Sequence, residues 1–225
     1  MHMEPGIVTG AKLVLGYATA AGSLGYGALL LRDTLRQGGL AVTAARCATT
    51  TALVFSFFQV LPHYPIGISE VHLILGSTLY LLFGTGPAAF GLAAGLLLQG
   101  LFFAPFDLPQ YGMNVTTLLV PLFAVAAVAR RVIPTETPYV DLGYWQVFRL
   151  SLAYQGGVAA WVAFWAIYGR GFGAENLVAV GTFFASYILV VAIEPLIDLA
   201  VLGAAKAGRS VTASGFFQRR LHHAA

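Results

Sequence analysis

The chain has 225 residues, of which 58% are hydrophobic and only 9% charged. Soluble globular domains carry about 25% charged residues, so this composition, with a mean hydropathy of +0.80, excludes an ordinary soluble domain and fits a helical protein that crosses a membrane several times. The net charge of +3 comes from Lys and Arg at helix ends, where membrane topology accounts for it without nucleic acid, and the single Cys47 excludes an internal disulfide.

The N-terminus reads Met1-His2-Met3-Glu4-Pro5-Gly6. A histidine in second position places the terminal amine, its own amide nitrogen and imidazole Nδ1 within chelating reach, closing two fused rings. Such nitrogens suit Ni(II) or Cu(II) in a square-planar field, and also Co(II). The same residues also fit an ordinary frayed terminus.

Apolar runs then define about seven membrane segments: Gly10–Leu31, Leu40–Leu61, Ser69–Phe83, Pro87–Phe103, Asn114–Val132, Gly143–Tyr168 and Leu177–Ala204. The expected fold is an all-α polytopic membrane protein in a single membrane domain, 1–225. Within it, residues 1–9 form a metal-binding N-terminal segment, 10–205 a helical bundle and 206–225 a basic cytoplasmic tail. The first segment is rich in small residues, with Gly16/Ala20, Ala18/Gly22, Ala21/Gly25 and Ser23/Gly27 at the spacing that lets another helix approach closely.

The third segment is short for a span, and its entrance from Pro62 to Ser69 reads as irregular backbone lining a cavity, as does Pro105–Gly112. His63 and Glu70 lie in or near the first of these and Asp107 in the second. His72 sits near the start of the short segment, where a histidine is costly unless partnered. It reads either as a ligand or as a packing histidine bonded to a carbonyl. His63 reads as an interfacial histidine or a ligand, Glu70 as a carboxylate at a helix N-terminus, and Asp107 as a turn-forming acid. Asn114 reads as a cap or as a residue that holds the N-terminal segment. Farther along, Gln59, Gln99 and Gln155 are expected to bond between helices. Glu194, followed by Pro195, needs a partner at membrane depth, with Arg149 and Gln155 as candidates.

Arg32, Arg36, Arg46, Arg130, Arg131, Lys206, Arg209, Arg219 and Arg220 fall on one side of a seven-span topology. That side is expected to be cytoplasmic. The N-terminus then lies outside, and with it His2, Glu4, His63, Glu70, His72 and Asp107, which together suggest an external cation site. The chain has no P-loop, no Ser/His/Asp arrangement, no HExxH and no CxxC, so energy for transport is expected from a partner or an ion gradient.

The Met-His terminus, Gly67-Ile68-Ser69-Glu70-Val71-His72 with Gly76, Leu97-Leu98-Gln99-Gly100-Leu101 leading to Gly112-Met113-Asn114, and Ala192-Ile193-Glu194 together resemble the substrate-specificity subunit of cobalt and nickel energy-coupling-factor transporters, the CbiM/NikM family. The resemblance implies a seven-helix subunit with its N-terminus outside, inserted into the bundle, and its C-terminus cytoplasmic. It implies metal ligation by the Met1 amine, the His2 amide and imidazole, and His72. Around them Asn114 would hold the loops; His63 and Asp107, which the family pattern does not supply, are accessory candidates from their place on the outer face alone. It implies no catalytic residues and no cofactor: Ni²⁺ or Co²⁺ is the transported substrate. The implied partners are a transmembrane T component, cytoplasmic ATPase subunits and a small accessory membrane subunit, in the cytoplasmic membrane of a bacterium. The sequence departs from the family pattern at Pro5, which separates Glu4 from Gly6, at Pro105-Phe106-Asp107, which replaces a His-Gly-Gly loop, and at the extra His63. Two other readings are a specificity subunit for an organic micronutrient and an intramembrane metalloenzyme built on His63, His72 and Asp107.

Overall fold

Helices make up most of the computed structural model, which describes residues 3–208 and 215–224. In chain order the described residues form helix α1 (Leu13–Gln59), strands β1 (Tyr64–Ile66) and β2 (Ser69–Val71), and helices α2 (Gly76–Phe83), α3 (Thr85–Phe102), α4 (Tyr111–Val132), α5 (Tyr144–Arg170) and α6 (Ala174–Ala207). Five of the described helical stretches are long and apolar enough to cross a membrane. This is a multi-pass membrane protein.

The first two expected segments are one hydrogen-bonded run broken at Gly39, where φ is +76° and ψ 171°. That conformation suits glycine, which has no Cβ to clash, and it turns α1 into two limbs. Helix α3 packs against both. A Cβ on Gly86 would lie 2.8 Å from the Leu30 carbonyl, and one on Gly91 or Gly95 would strike Thr50 or Val54. Where lipid replaces water, such close backbone approach is what makes helix association favourable. The small residues of segment one divide by the same test. Gly16 meets Met113 and Gly112 on α4, Gly27 meets Ala89 and Phe123, and nothing described packs on Gly22 or Gly25.

The third expected segment, Ser69–Phe83, is corrected. Only Gly76–Phe83 is helical, about 12 Å at 1.5 Å per residue, too short to span. Ser69–Val71 instead pairs antiparallel with Tyr64–Ile66, in the register Tyr64↔Val71 and Ile66↔Ser69. Pro65 opposes helix formation, and Gly67, with φ +64°, makes the turn. Glu70 is therefore on a strand and not at a helix N-terminus. Asn114 is corrected too: α4 begins at Tyr111, so Asn114 lies inside its first turn and does not cap it. The expected irregular loop Pro105–Gly112 is a 3-10 helix over Pro105–Gln110 that runs into the start of α4 at Tyr111.

Between β2 and α2 the chain is irregular and Leu75 has φ +54°, a region costly for a branched side chain. Helix α6 holds this stretch. The Glu194 carboxylate accepts the Ile74 N–H on one oxygen and the Gln155 amide on the other, and Tyr187 donates to Gln155 Oε1. One turn on, Asp198 accepts the hydroxyls of Ser77 and Thr78. Both acids are buried. Of the two expected partners of Glu194, Gln155 fills the role, whereas Arg149 stacks over Trp145 at 5.1 Å.

At the other end of α2, residues 215–224 fold back on the bundle instead of trailing from it. Gln218 donates its side-chain amide to the carbonyls of Tyr80 and Leu81 and its backbone N–H to that of Leu82. The Arg46 guanidinium donates to the carbonyls of Gly215, Phe216 and Phe217.

Candidate metal centre

The N-terminal segment is buried in the end of the bundle where the hairpin lies. Met3, Ile7 and Val8 are at most 2% exposed. Met3 bridges Ser69, and the Glu4 N–H donates to the Ile68 carbonyl at 3.0 Å. The segment thus runs along the free edge of β2. On its other flank the Met3 N–H donates to Asn114 Oδ1 at 2.8 Å, a buried bond between residues 111 apart in sequence. Gly169 lets the segment pass, since a Cβ there would lie 2.1 Å from the Ile7 carbonyl. Lys12 then donates to the carbonyls of Tyr168 and Gly169 at 3.0 and 2.9 Å, placing a cation at the C-terminal end of α5, where the helix dipole favours it. Met1 and His2, the expected chelating residues, lie outside the described residues.

The hairpin carries the histidines. Continuing the register of β1 and β2 one pair beyond Tyr64↔Val71 sets His63 opposite His72, and side chains directly opposite are neighbours. Their rings stack, with centroids 5.1 Å apart and planes 14° from parallel. His72 is 1% exposed, and Phe58 lies against it at 5.2 Å. Two residues before it, on the same face of the strand, Glu70 places Oε2 2.9 Å from His72 Nε2. An ionised carboxylate only accepts, so the proton is assigned to Nε2 and the lone pair to Nδ1. This is the carboxylate–imidazole pairing that orients metal-ligating histidines. His63 in turn bonds through Nδ1 to the Leu61 carbonyl at 3.2 Å.

The acids gather at the same end. The Glu4 carboxyl is raised above its ordinary value, first by burial and then by repulsion from Glu70 and Asp107. A concentration of negative charge around two histidines favours a dication. Asp107, half-buried on the 3-10 turn Pro105–Gln110, reaches this group through its charge. No three His, Cys, Asp or Glu side chains among the described residues form a metal-holding group, and the parallel imidazoles do not converge as the metalloenzyme reading requires.

The structure therefore brings together His63, His72, Glu70 and the Asn114-anchored Met3. It leaves Asp107 at the margin. The orienting role of Glu70 was missed by reading it at a helix N-terminus. The signal that would have found it is the hairpin pattern, Tyr-Pro-Ile-Gly-Ile-Ser-Glu-Val, which sets Glu70 and His72 on one strand face and His63 across from His72.

Residues 2–210 match the family CbiM, described as the cobalt uptake substrate-specific transmembrane region. No match was found among curated proteins. Among solved structures, the crystal structure of a truncated transition metal transporter superimposes with a TM-score of 0.66, covering 94% of this chain and 99% of its own at 16% identity. That likeness concerns the fold.

Proposed function

The chain belongs to the CbiM family of cobalt uptake substrate-specific transmembrane proteins, and from that premise we propose that it is the metal-capturing subunit of an energy-coupling-factor importer for Ni²⁺ or Co²⁺. As a member of that family it is a component of a metal uptake transporter, and the metal is its substrate and not a cofactor. The finer reading is that four nitrogens take the ion: the Met1 amine, the His2 amide and imidazole, and His72 Nδ1. Such a planar set favours Ni²⁺ over Co²⁺. It requires Met1 to be retained as the amino terminus. In this reading the topology has seven spans, with the N-terminus outside and the C-terminus in the cytoplasm, and the subunit works with a transmembrane T component, cytoplasmic ATPases and a small accessory membrane subunit. Binding would occur at the outer face of the cytoplasmic membrane and ATP hydrolysis in the partners.

The observation that carries the proposal is the anchoring of the residue next to His2. The Met3 N–H is held by buried Asn114, at the end of the bundle where Glu70 orients His72. A buried N–H needs an acceptor in any segment, and by supplying it at Met3, Asn114 gives the ligand arm a fixed base. The test is Ni²⁺ binding to the purified protein in detergent. His2→Ala removes the imidazole and the chelate with it, and is expected to abolish binding while leaving the melting temperature unchanged; His72→Ala is expected to abolish binding too, with a fall in melting temperature from the loss of a buried side chain. Parent-like affinity in both variants would refute the ligand assignment.

A further inference from the structure

We propose that His63 is a positioning residue: it fixes the plane of the His72 ring, and through it the preference of the site for an ion with planar coordination, without itself binding the ion. The inference rests on the ligand assignment proposed above and deepens it.

The first support is the geometry of the ring pair. The lone pair of an imidazole nitrogen lies in the plane of its ring, so an ion bound to His72 Nδ1 lies in the plane of His72. The His63 ring is stacked on His72 with its plane only 14° away. Stacked rings are held apart by about 3.5 Å, the contact distance of their atoms, whereas a metal–nitrogen bond is about 2.0–2.1 Å. An ion in the plane of one ring is therefore out of reach of the in-plane lone pair of the other. His63 lies close to the proposed ligand, but its orientation is wrong for sharing the ion.

The second support is what the stack restrains. Glu70 holds His72 at Nε2, at one edge of the ring. A bond at one edge resists the swing of the ring about its Cβ–Cγ bond, which moves Nδ1 through an arc, less than a contact on its face does, and the Phe58 ring meets His72 tilted by 52°. A flat neighbour against the ring face opposes that swing. His63 is itself held, through Nδ1, by the Leu61 carbonyl, and its place opposite His72 is set by the hairpin register. The chain thus carries a built support for the ring plane, made from a residue whose Nδ1 is engaged by its own chain.

The consequence is selectivity. A fourth nitrogen locked in direction suits an ion with planar coordination, such as Ni²⁺, and penalises Zn²⁺, which draws its ligands into a tetrahedron. Removing the stack should cost Ni²⁺ its advantage and relieve the penalty on Zn²⁺, which needs the ring to move.

The experiment uses the full-length protein in detergent with Ni²⁺ alone and Zn²⁺ alone, for the parent, His63→Ala, His63→Phe and His2→Ala. Affinity is measured for each ion, together with the magnetic state of bound Ni²⁺, which is diamagnetic in a planar four-coordinate field and paramagnetic with five or six ligands. His63→Ala is expected to lose about 10- to 100-fold in Ni²⁺ affinity, the usual effect of removing a group that orients a ligand, to gain in Zn²⁺ affinity, and to shift bound Ni²⁺ towards the paramagnetic form. His63→Phe keeps a flat ring and no nitrogen, and is expected to match the parent in all three. If His63→Phe fails as His63→Ala does, the nitrogens of His63 are what matters and the proposal is overturned. If His63→Ala matches the parent, the stack does nothing and the proposal is again overturned. If the parent binds no Ni²⁺, or His2→Ala binds it as the parent does, the four-nitrogen assignment itself falls and this inference falls with it.

Discussion

Two carboxylates grip the short stretch from Val71 to Leu75, and they do so in opposite ways. Glu70, on the strand, is partly open to solvent and takes hold of a side chain, the Nε2 of His72. Glu194, on α6, is fully buried and takes hold of the backbone at Ile74 and of the Gln155 amide. The first arrangement determines which nitrogen of His72 carries a lone pair. The second keeps a non-helical piece of chain satisfied where no water reaches, a condition for irregular backbone at membrane depth. The lesson is that a carboxylate near a candidate site has a chemical role when it meets a ring nitrogen, and a scaffolding role when it meets the chain.

Five substitutions at four positions test that division. Glu194→Ala has the largest expected effect: it leaves the Ile74 N–H and the Gln155 amide without their acceptor, at about 1–3 kcal/mol each, so thermal unfolding in detergent should show a stability loss of about 2–6 kcal/mol, with metal binding lost as a consequence. Unchanged melting would remove Glu194 from the scaffold. Asn114→Ala orphans one buried N–H, that of Met3, and should cost about 1–3 kcal/mol while weakening Ni²⁺ binding. Asn114→Asp keeps an acceptor in place and should recover most of the loss. Glu70→Ala should lower Ni²⁺ affinity about 10- to 100-fold, equivalent to about 1.4–2.8 kcal/mol, with the melting temperature held. A fall in melting temperature as large as that of Glu194→Ala would erase the distinction between the two acids. Lys12→Met is the mildest, with less than about 1 kcal/mol expected from losing a cation at the end of α5. Retention of Ni²⁺ affinity in that variant would show that the N-terminal segment is held chiefly by Asn114 and by its bonds to the hairpin.

Much of the helical bundle was legible in the sequence, because a long apolar run admits few outcomes in a membrane. The segments Pro87–Phe103, Asn114–Val132, Gly143–Tyr168 and Leu177–Ala204 each correspond to an observed helix with shifted ends. The stretch 62–75 was not legible. Its residues are nearly as apolar as those of a span, and only the pairing of Tyr64–Ile66 with Ser69–Val71 shows that they make a hairpin and not the start of a helix. The misreading of Glu70 followed directly from that. Asn114 was read with two roles, and the structure gives it one: it holds the N-terminal segment through Met3. Residues 215–224, which charge marks only as part of a basic tail, dock on the end of α2 through Phe216, Phe217 and Gln218.

The sequence by itself determined that the chain is a multi-pass membrane protein, that His72 and Glu194 need partners, and that its motifs resemble the CbiM family. Each of these follows from composition, from the cost of polar groups in hydrocarbon, or from residue order, all of which are local properties. Only the tertiary structure decided that Glu70 serves His72, that Gln155 and not Arg149 serves Glu194, that Asn114 holds Met3 and that His63 lies flat on His72. These depend on strand register and on contacts between residues far apart in the chain. A register shift of one residue would turn every hairpin side chain to the other face, and no local pattern fixes such a choice before the chain has packed.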